Sequence, residues 1–332
     1  MLYYKSDLES TVLCVQAPTL IVYVAAGDGM EETMRKKSNL LFRLRDDEKI
    51  AYQLMKLPAL LILIGIFYPF LIGVLTSLTD SRLYADDYNF VFLQNYIENF
   101  QNHVFRTSMS NTLLFTIWAI ALQIPLGICV ALILDTQTRL KPFLRSVLVL
   151  PLLIPPVVSG LIWRTMMHPS SGVFNFFLTS IGLSSYPFLS DINTVLFSLV
   201  LVDTWIYLPF TAILLLSGLQ SLPLEMLEAA QADGASPLRI FFSIKLPWLK
   251  SSILLAMMFR VSDSLRIFDI IYATTRGGPL NASRTLNIMA YEEAFRWTNL
   301  GRSLSIIFTL WLIAYIVSSF LFKQWQKSAI ET

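Results

Sequence analysis

Residues 221–247 read SLPLEMLEAAQADGASPLRIFFSIKLP, a polar and helix-capped stretch set between two long apolar segments. Pro223 suits the opening of a helix, with Ser221 or Leu222 before it, because the first N–H groups of a helix have no partner to lose. Glu225 and Glu228 fall in the first turns, where carboxylates oppose the positive end of the helix dipole. Gly234 supplies a C-terminal break. Ser236 followed by Pro237 starts a second helix, with Ser as N-cap and Pro at the first position. Pro247 is expected to mark the return to apolar sequence. The stretch is predicted to be two short helices meeting at a glycine elbow. An ordered polar element of this kind is a docking place for another protein; the other reading is an interfacial hairpin with no partner.

The flanks set the class. Hydrophobic residues make up 55% of the chain and charged residues only 14%, with a mean hydropathy of +0.59, outside the ordinary soluble range. A hydrocarbon core of roughly 30 Å needs about 20 apolar residues in a helix. Six segments qualify: 54–78, 110–134, 145–166, 194–219, 250–273 and 299–322. They are too long and too uniformly apolar for barrel strands, so closed helical hydrogen bonding is the reading. The expected fold is an all-α integral membrane protein of six transmembrane helices, with the 221–247 loop outside the bilayer. A net charge of +2 gives no support to nucleic-acid binding. Cys14 and Cys129 lie far apart, and His103 and His168 are the only histidines. No metal site, disulfide framework or cofactor is expected from them, and both histidines are read as loop residues.

Lys and Arg placement gives the orientation. Residues 31–56 carry seven, residues 135–145 three, the 220–250 loop three and the C-terminal tail two. The opposite loops carry six, with Arg164 at a helix end on the same side. Both termini and the 221–247 loop are therefore expected in the cytoplasm. The stretch from Met34, MRKKSNLLFRLRDDEKIAYQLMKLP, is a short basic entry to a first span. The domain reading is an extension without a transport role over 1–33, a basic cytoplasmic segment over 34–53, a six-helix domain over 54–325, and a tail over 326–332.

Polar groups within the apolar segments are the candidate solute path. Arg260, Asp263, Arg266 and Asp269 alternate in sign at steps of three along the fifth segment. Each costs about 2.5–3.5 kcal/mol near the bilayer centre, so they cannot all face lipid. Residues three apart are helix neighbours, so Arg260–Asp263 and Arg266–Asp269 are the expected local pairs. They line an aqueous cavity or fix the helix against its neighbours; both remain open. Asp203 is a further carboxylate, expected opposite Arg260 or Arg266. Trp205 and Tyr207 nearby suit sugar rings, whose C–H faces stack and whose hydroxyls need partners, or anchor the helix at the interface. Asp203, Trp205, Arg260, Asp263 and Tyr272 are the path candidates. Pro125, Pro151, Pro155, Pro156 and Pro209 are expected to kink their helices.

Beyond this physical pattern lies a resemblance. Glu228-Ala229-Ala230, Asp233-Gly234-Ala235, Phe241, Ile244 and Leu246-Pro247 resemble the EAA loop of binding-protein-dependent ABC importer permeases. FRVSDSLRIFDIIYATTRGGP (259–279), Asn95-Tyr96, Phe105, Asn111-Thr112, Asp203 to Phe210, Leu219-Gln220 and Pro223 resemble the carbohydrate-uptake branch, the maltose and glycerol-3-phosphate type. The resemblance spans about residues 35–325. It implies that Glu228, Ala229, Ala230, Asp233, Gly234, Ala235, Phe241, Leu246 and Pro247 form the coupling helices gripped by an ATP-hydrolysing subunit. It implies as partners two ATP-binding subunits, a second homologous permease in a heterodimer, and an extracytoplasmic solute-binding protein docking near 79–107, 167–193 and 274–298. The chain would itself be no enzyme, would sit among lipids in the cell inner membrane, and would pass sugars, oligosaccharides, polyols or glycerol phosphates. No GxxxxGK phosphate loop is present in the sequence, so the motor would be elsewhere. An ion-coupled secondary transporter using Asp203, Asp263 or Asp269 is the alternative. A hydrolase built on Ser159-Gly160 and His168 lacks a second base.

Overall fold

The computed structural model describes residues 48–136 and 141–331, with side chains from 56 to 328. The predicted extension over 1–33, most of the basic segment over 34–53, Cys14 and Arg139 lie outside the described residues. The chain divides into two compact units, Met1–Leu71 and Ile72–Thr332. Helix α1, Glu48–Ser77, starts in the first and ends in the second. From Leu57 to Ser77 it carries no charged residue, and Pro58 and Pro69 lie within it.

The second unit continues with α2 (Gln94–Gln101), α3 (His103–Asp135), α4 (Lys141–Leu153), α5 (Pro156–Met166), α6 (Val173–Ser180) and α7 (Val195–Gln220). Next come α8 (Leu224–Ala232), α9 (Pro237–Trp248), α10 (Lys250–Leu265), α11 (Asp269–Thr274), α12 (Leu286–Phe295) and α13 (Leu300–Glu331). Two isolated β-bridges, Thr79 to Phe90 and Arg82 to Asn299, pin the loop after α1, and no strand occurs among the described residues. Among the described residues, four helices are long and apolar enough to cross a membrane uninterrupted: Lys56–Ser77, His103–Asp135, Val195–Gln220 and Leu300–Ser328. Two bent pairs, each taken as one span, bring the number to the six expected.

Each bend has its own cause. α4 and α5 meet at 94° across Ile154 and Pro155. Pro155 and Pro156 both lack a donor, and a residue before proline is steered away from the helical region. The segment predicted over 145–166 is therefore broken rather than kinked. α9 meets the α10–α11 span at 60°, and the turn comes at Leu249 rather than at Pro247. A π turn over Phe241–Lys245, in which the Leu246 N–H reaches back to the Phe241 carbonyl, lets the helix run on through Pro247 to Trp248. The segment predicted over 250–273 is interrupted as well, between Leu265 and Asp269. No proline or glycine stands there. Side chains from downstream satisfy the carbonyls released: Asn287 Nδ2 donates to Arg266 O at 2.8 Å and Thr285 Oγ1 to Ile267 O at 3.4 Å.

α7 is the central helix, buried on most of its circumference. Phe115, Leu199, Ile206, Ile270, Ile271 and Ile288 form the core around its first half, and Leu134, Leu215, Leu219 and Leu249 the core around its end. A third cluster joins Phe105, Leu265, Leu286, Ile306 and Leu310. Close approach needs small residues: a Cβ at Gly127 would lie 2.8 Å from the Thr211 methyl, and one at Gly218 would overlap the Ser252 hydroxyl.

Candidate functional site

The 221–248 hairpin takes the predicted form with one shift. Pro223 is the N-cap of α8, φ −58° and ψ 130°, rather than its first helical residue. Gly234 lies in the left-handed region at φ +73°. The Ala235 N–H donates to Ala230 O and the Gly234 N–H to Gln231 O, both at 3.0 Å, the paired bonds of a Schellman ending. The Ser236 hydroxyl accepts from Arg239 N at 3.3 Å and starts α9. Two side-chain bonds fasten the base: Trp248 Nε1 donates to Ser221 Oγ at 3.2 Å, and Lys245 Nζ pairs with Asp135 Oδ2 at 3.3 Å. Glu228, Ala229, Asp233 and Gly234 are exposed, Ala230, Ala235, Phe241 and Leu246 half-buried, and Pro247 exposed. Leu224, Met226, Leu238 and Phe242 also expose large apolar side chains. The base is anchored and the tip is bare.

The five path candidates separate into two groups. Asp203 on α7 and Arg260 on α10 are buried, with side chains 1% and 0% exposed. Arg260 Nη2 donates to Asp203 Oδ2 at 2.7 Å and to Ser264 Oγ at 3.1 Å, and its Nε donates to Gln123 Oε1. Gln123 on α3 completes a ring by donating to Asp203 Oδ2 at 2.8 Å. The guanidinium lies over the Tyr207 ring, 4.2 Å from its centroid. This cluster ties three helices together within the bundle. Trp205 is also packed inward, edge-on to Trp163 at 5.7 Å, with Trp163 stacked on Phe174.

Asp263 and Tyr272 belong to an open face with Arg266, Asp269 and Arg276, all exposed. Asp263 and Arg266 have side chains 47% and 65% exposed. Arg266 Nη2 lies 3.5 Å from Asp263 Oδ1, so its partner is Asp263 and not Asp269 as the three-residue step suggested. The break after Leu265 takes Asp269 off the helical register. Tyr272 stacks on Phe268 with centroids 5.1 Å apart, and Tyr291 stands edge-on to it at 5.2 Å. A hydrogen bond with the Tyr272 side chain raises the Tyr291 phenol above its usual pKa.

A polar scaffold braces the segment that follows α11. Asn111 Nδ2 donates to the carbonyls of Asn281 and Arg284 at 2.9 and 3.0 Å, and the Thr112 hydroxyl accepts from Leu286 N at 3.0 Å, capping α12. Asn95 Nδ2 holds Ser77 O and Thr79 O, and Arg284 pairs with Glu292 at 2.9 Å. Ser159 and His168 do not form a catalytic pair: the Ser159 hydroxyl has no hydrogen-bond partner among the described residues, and His168 Nδ1 is engaged by the Ser171 hydroxyl at 3.0 Å. His103 opens α3 rather than lying in a loop.

The sequence pattern of the family described as "Binding-protein-dependent transport system inner membrane component" matches residues 123–330. The chain belongs to that family. It is the permease subunit of an ABC importer, a multi-pass inner-membrane protein. It is 35% identical to the trehalose/maltose transport system permease protein MalF of Thermococcus litoralis, over 80% of this chain and 88% of the relative. It is 32% identical to the probable ABC transporter permease protein y4oQ of Sinorhizobium fredii, over 82% and 88%. In fold it matches a chain of a bacterial ABC transporter involved in the import of the acidic polysaccharide alginate, with a TM-score of 0.73 at 19% identity, covering 87% of this chain and 99% of that one. The family is one of permeases rather than catalysts, and the ion-coupled secondary transporter is not favoured. The matched span holds the hairpin and both polar groups of this permease. Gln123, its first residue, was not among the sequence candidates; a glutamine alone in the apolar run from Ile117 to Leu134 was the available signal.

Proposed function

We propose that this permease forms one half of a path that carries a sugar or related hydroxylated solute, driven by ATP hydrolysis on two partner subunits. A second, homologous permease faces it in a heterodimer, and a solute-binding protein delivers from outside. Both termini and the 221–248 hairpin lie in the cytoplasm, where an ATP-binding subunit grips Glu228 to Ala235. The observation that carries the solute path is the open face: Asp263, Arg266, Asp269 and Arg276 are exposed on or just beyond an apolar span. Charges there cannot face hydrocarbon, so water, solute and a second subunit cover them. Two acids and two bases balance along it, and the Tyr272 and Tyr291 rings supply apolar faces with hydroxyl groups. That set suits a neutral carbohydrate better than a phosphate ester, in keeping with the relative named for trehalose and maltose. Trp205 and the Asp203–Arg260 pair act from behind this face by holding its helices.

The hairpin's anchored base, bare tip and exposed apolar side chains support its role as the handle. Closure of the ATP-binding pair pushes a rigid element and so tilts α7 and α10. Gly234→Pro removes a backbone donor and forbids the positive φ, which opens the elbow. Gly234→Pro and Glu228→Lys are each expected to leave the subunit in the membrane at parental level while uptake falls and ATP hydrolysis continues. The check is vesicle uptake of maltose and trehalose beside phosphate release in the assembled transporter. Uptake at parental rate in both variants contradicts the coupling role.

A further inference from the structure

We propose that Gln123 and Asp203 are positioning residues for the solute path: by holding Arg260 inside the bundle, they fix the charge that Asp263 presents on the open face. The proposal rests on the assignment of that face to the path. Four charges of alternating sign run from the interior outward: Asp203, Arg260, Asp263 and Arg266. Arg260 stands between two carboxylates. Its Nη2 is bonded to Asp203 at 2.7 Å, while Nη1 lies 3.8 Å from Asp263 Oδ2 and makes no hydrogen bond among the described residues. Asp203 Oδ1 is likewise without a hydrogen-bond partner among those residues.

The guanidinium is therefore held toward one acid with an unused donor turned to the other. A buried cation is compensated by whichever anion can reach it. Asp203 compensates it from behind, on α7, and the Gln123 amide locks the arrangement by bonding Arg260 Nε and Asp203 Oδ2 together. Without that hold, Arg260 turns its charge and its free donor to Asp263. The carboxylate on the open face is then neutralised, and the path becomes less electronegative at that level. Helix packing between α3, α7 and α10 thus sets the polarity met by a solute, and a shift of α10 against α7 changes both at once.

The test uses the assembled transporter in membrane vesicles, with Asp263 retained and Arg266→Cys, three residues away on the open face, as the reporter in a background carrying Cys14→Ser and Cys129→Ser. Two membrane-impermeant methanethiosulfonate reagents of similar size and opposite charge are the probes. The ratio of the anionic to the cationic labelling rate reads the potential beside Asp263. Adding Asp203→Asn is expected to raise that ratio on the order of ten-fold, because the loss of one nearby negative charge moves the two rates in opposite directions. Asp203→Glu, which keeps the charge, is expected to leave the ratio near its starting value. Gln123→Leu changes no charge and separates a positioning role from a structural one: it is expected to raise the ratio by a smaller factor. A triad that only holds the fold together lowers thermal stability in Gln123→Leu and leaves the ratio unchanged. Labelling at 266 with an unchanged ratio in Gln123→Leu overturns the proposal and leaves the path standing. No labelling at 266 by either reagent overturns the path, and the proposal with it.

Discussion

Arg260 and Arg266 stand on one stretch of chain, six residues apart, each three from Asp263, yet they occupy opposite surroundings. Arg260 is closed off, bonded to groups from three helices. Arg266 is two-thirds exposed, with a loose ion pair to Asp263 and a bond from its Nε to Ser262 O, both on its own helix. The sequence offers the same feature twice, an ion at a three-residue step in an apolar run. What differs is the element across from it. Gln123 and Asp203 face Arg260, whereas Arg266 sits at the end of α10, where the helix stops and its carbonyl is taken by Asn287. An intramembrane charge can therefore be a fastening or stand on an open face, and the neighbours across the helix decide which.

The contrast is open to three changes. Arg260→Ala leaves Asp203 buried and unpaired, and is expected to destabilise the subunit by about 3–5 kcal/mol. Thermal denaturation of the purified complex and the yield of assembled subunit measure it; a parental melting point contradicts the fastening role. Replacing the whole cluster, with Gln123→Leu, Asp203→Leu and Arg260→Met, removes every buried polar group of the ring together. Stability is expected to return to within about 1–2 kcal/mol of the parent, because apolar groups of similar volume often substitute for a buried ion pair. A further loss beyond that of Arg260→Ala would show that the ring contributes more than mutual neutralisation. Arg266→Ala is the smallest: an exposed pair contributes about 0–1 kcal/mol, so the melting curve should barely move. A drop as large as that of Arg260→Ala would place Arg266 in the same class and erase the distinction.

The legible parts of the molecule are those fixed by local backbone chemistry. Gly234, Ser236 and Pro237 set the elbow because a left-handed residue, a hydroxyl cap and a preset φ act within a few residues. Pro155 and Pro156 broke the third span for the same reason. Pro247 misled, since the preceding π turn absorbs a proline that an α-helix would not. The interruption after Leu265 had no local signal at all, being stabilised by Thr285 and Asn287 from about twenty residues downstream. It also moved Asp269 out of register and so changed the partner of Arg266. The Asp203–Arg260 pair was one of two expected, but the third member, Gln123, is uncharged, and an amide in an apolar run announces no partner. Pairing across helices depends on which residues share a level, and that is a property of the packed bundle.

Asp263 and Ser264 are adjacent on α10, one on the open face and the other bonded to Arg260 within the core. Labelling of Asp263→Cys and Ser264→Cys by a membrane-impermeant maleimide, in the assembled transporter with and without ATP, compares the two surroundings at one level of one helix. Cysteine at 263 is expected to react, and cysteine at 264 to stay protected in both conditions. Equal labelling of the two, or reaction at 264 alone, contradicts the division of this helix into an open face and a fastened one.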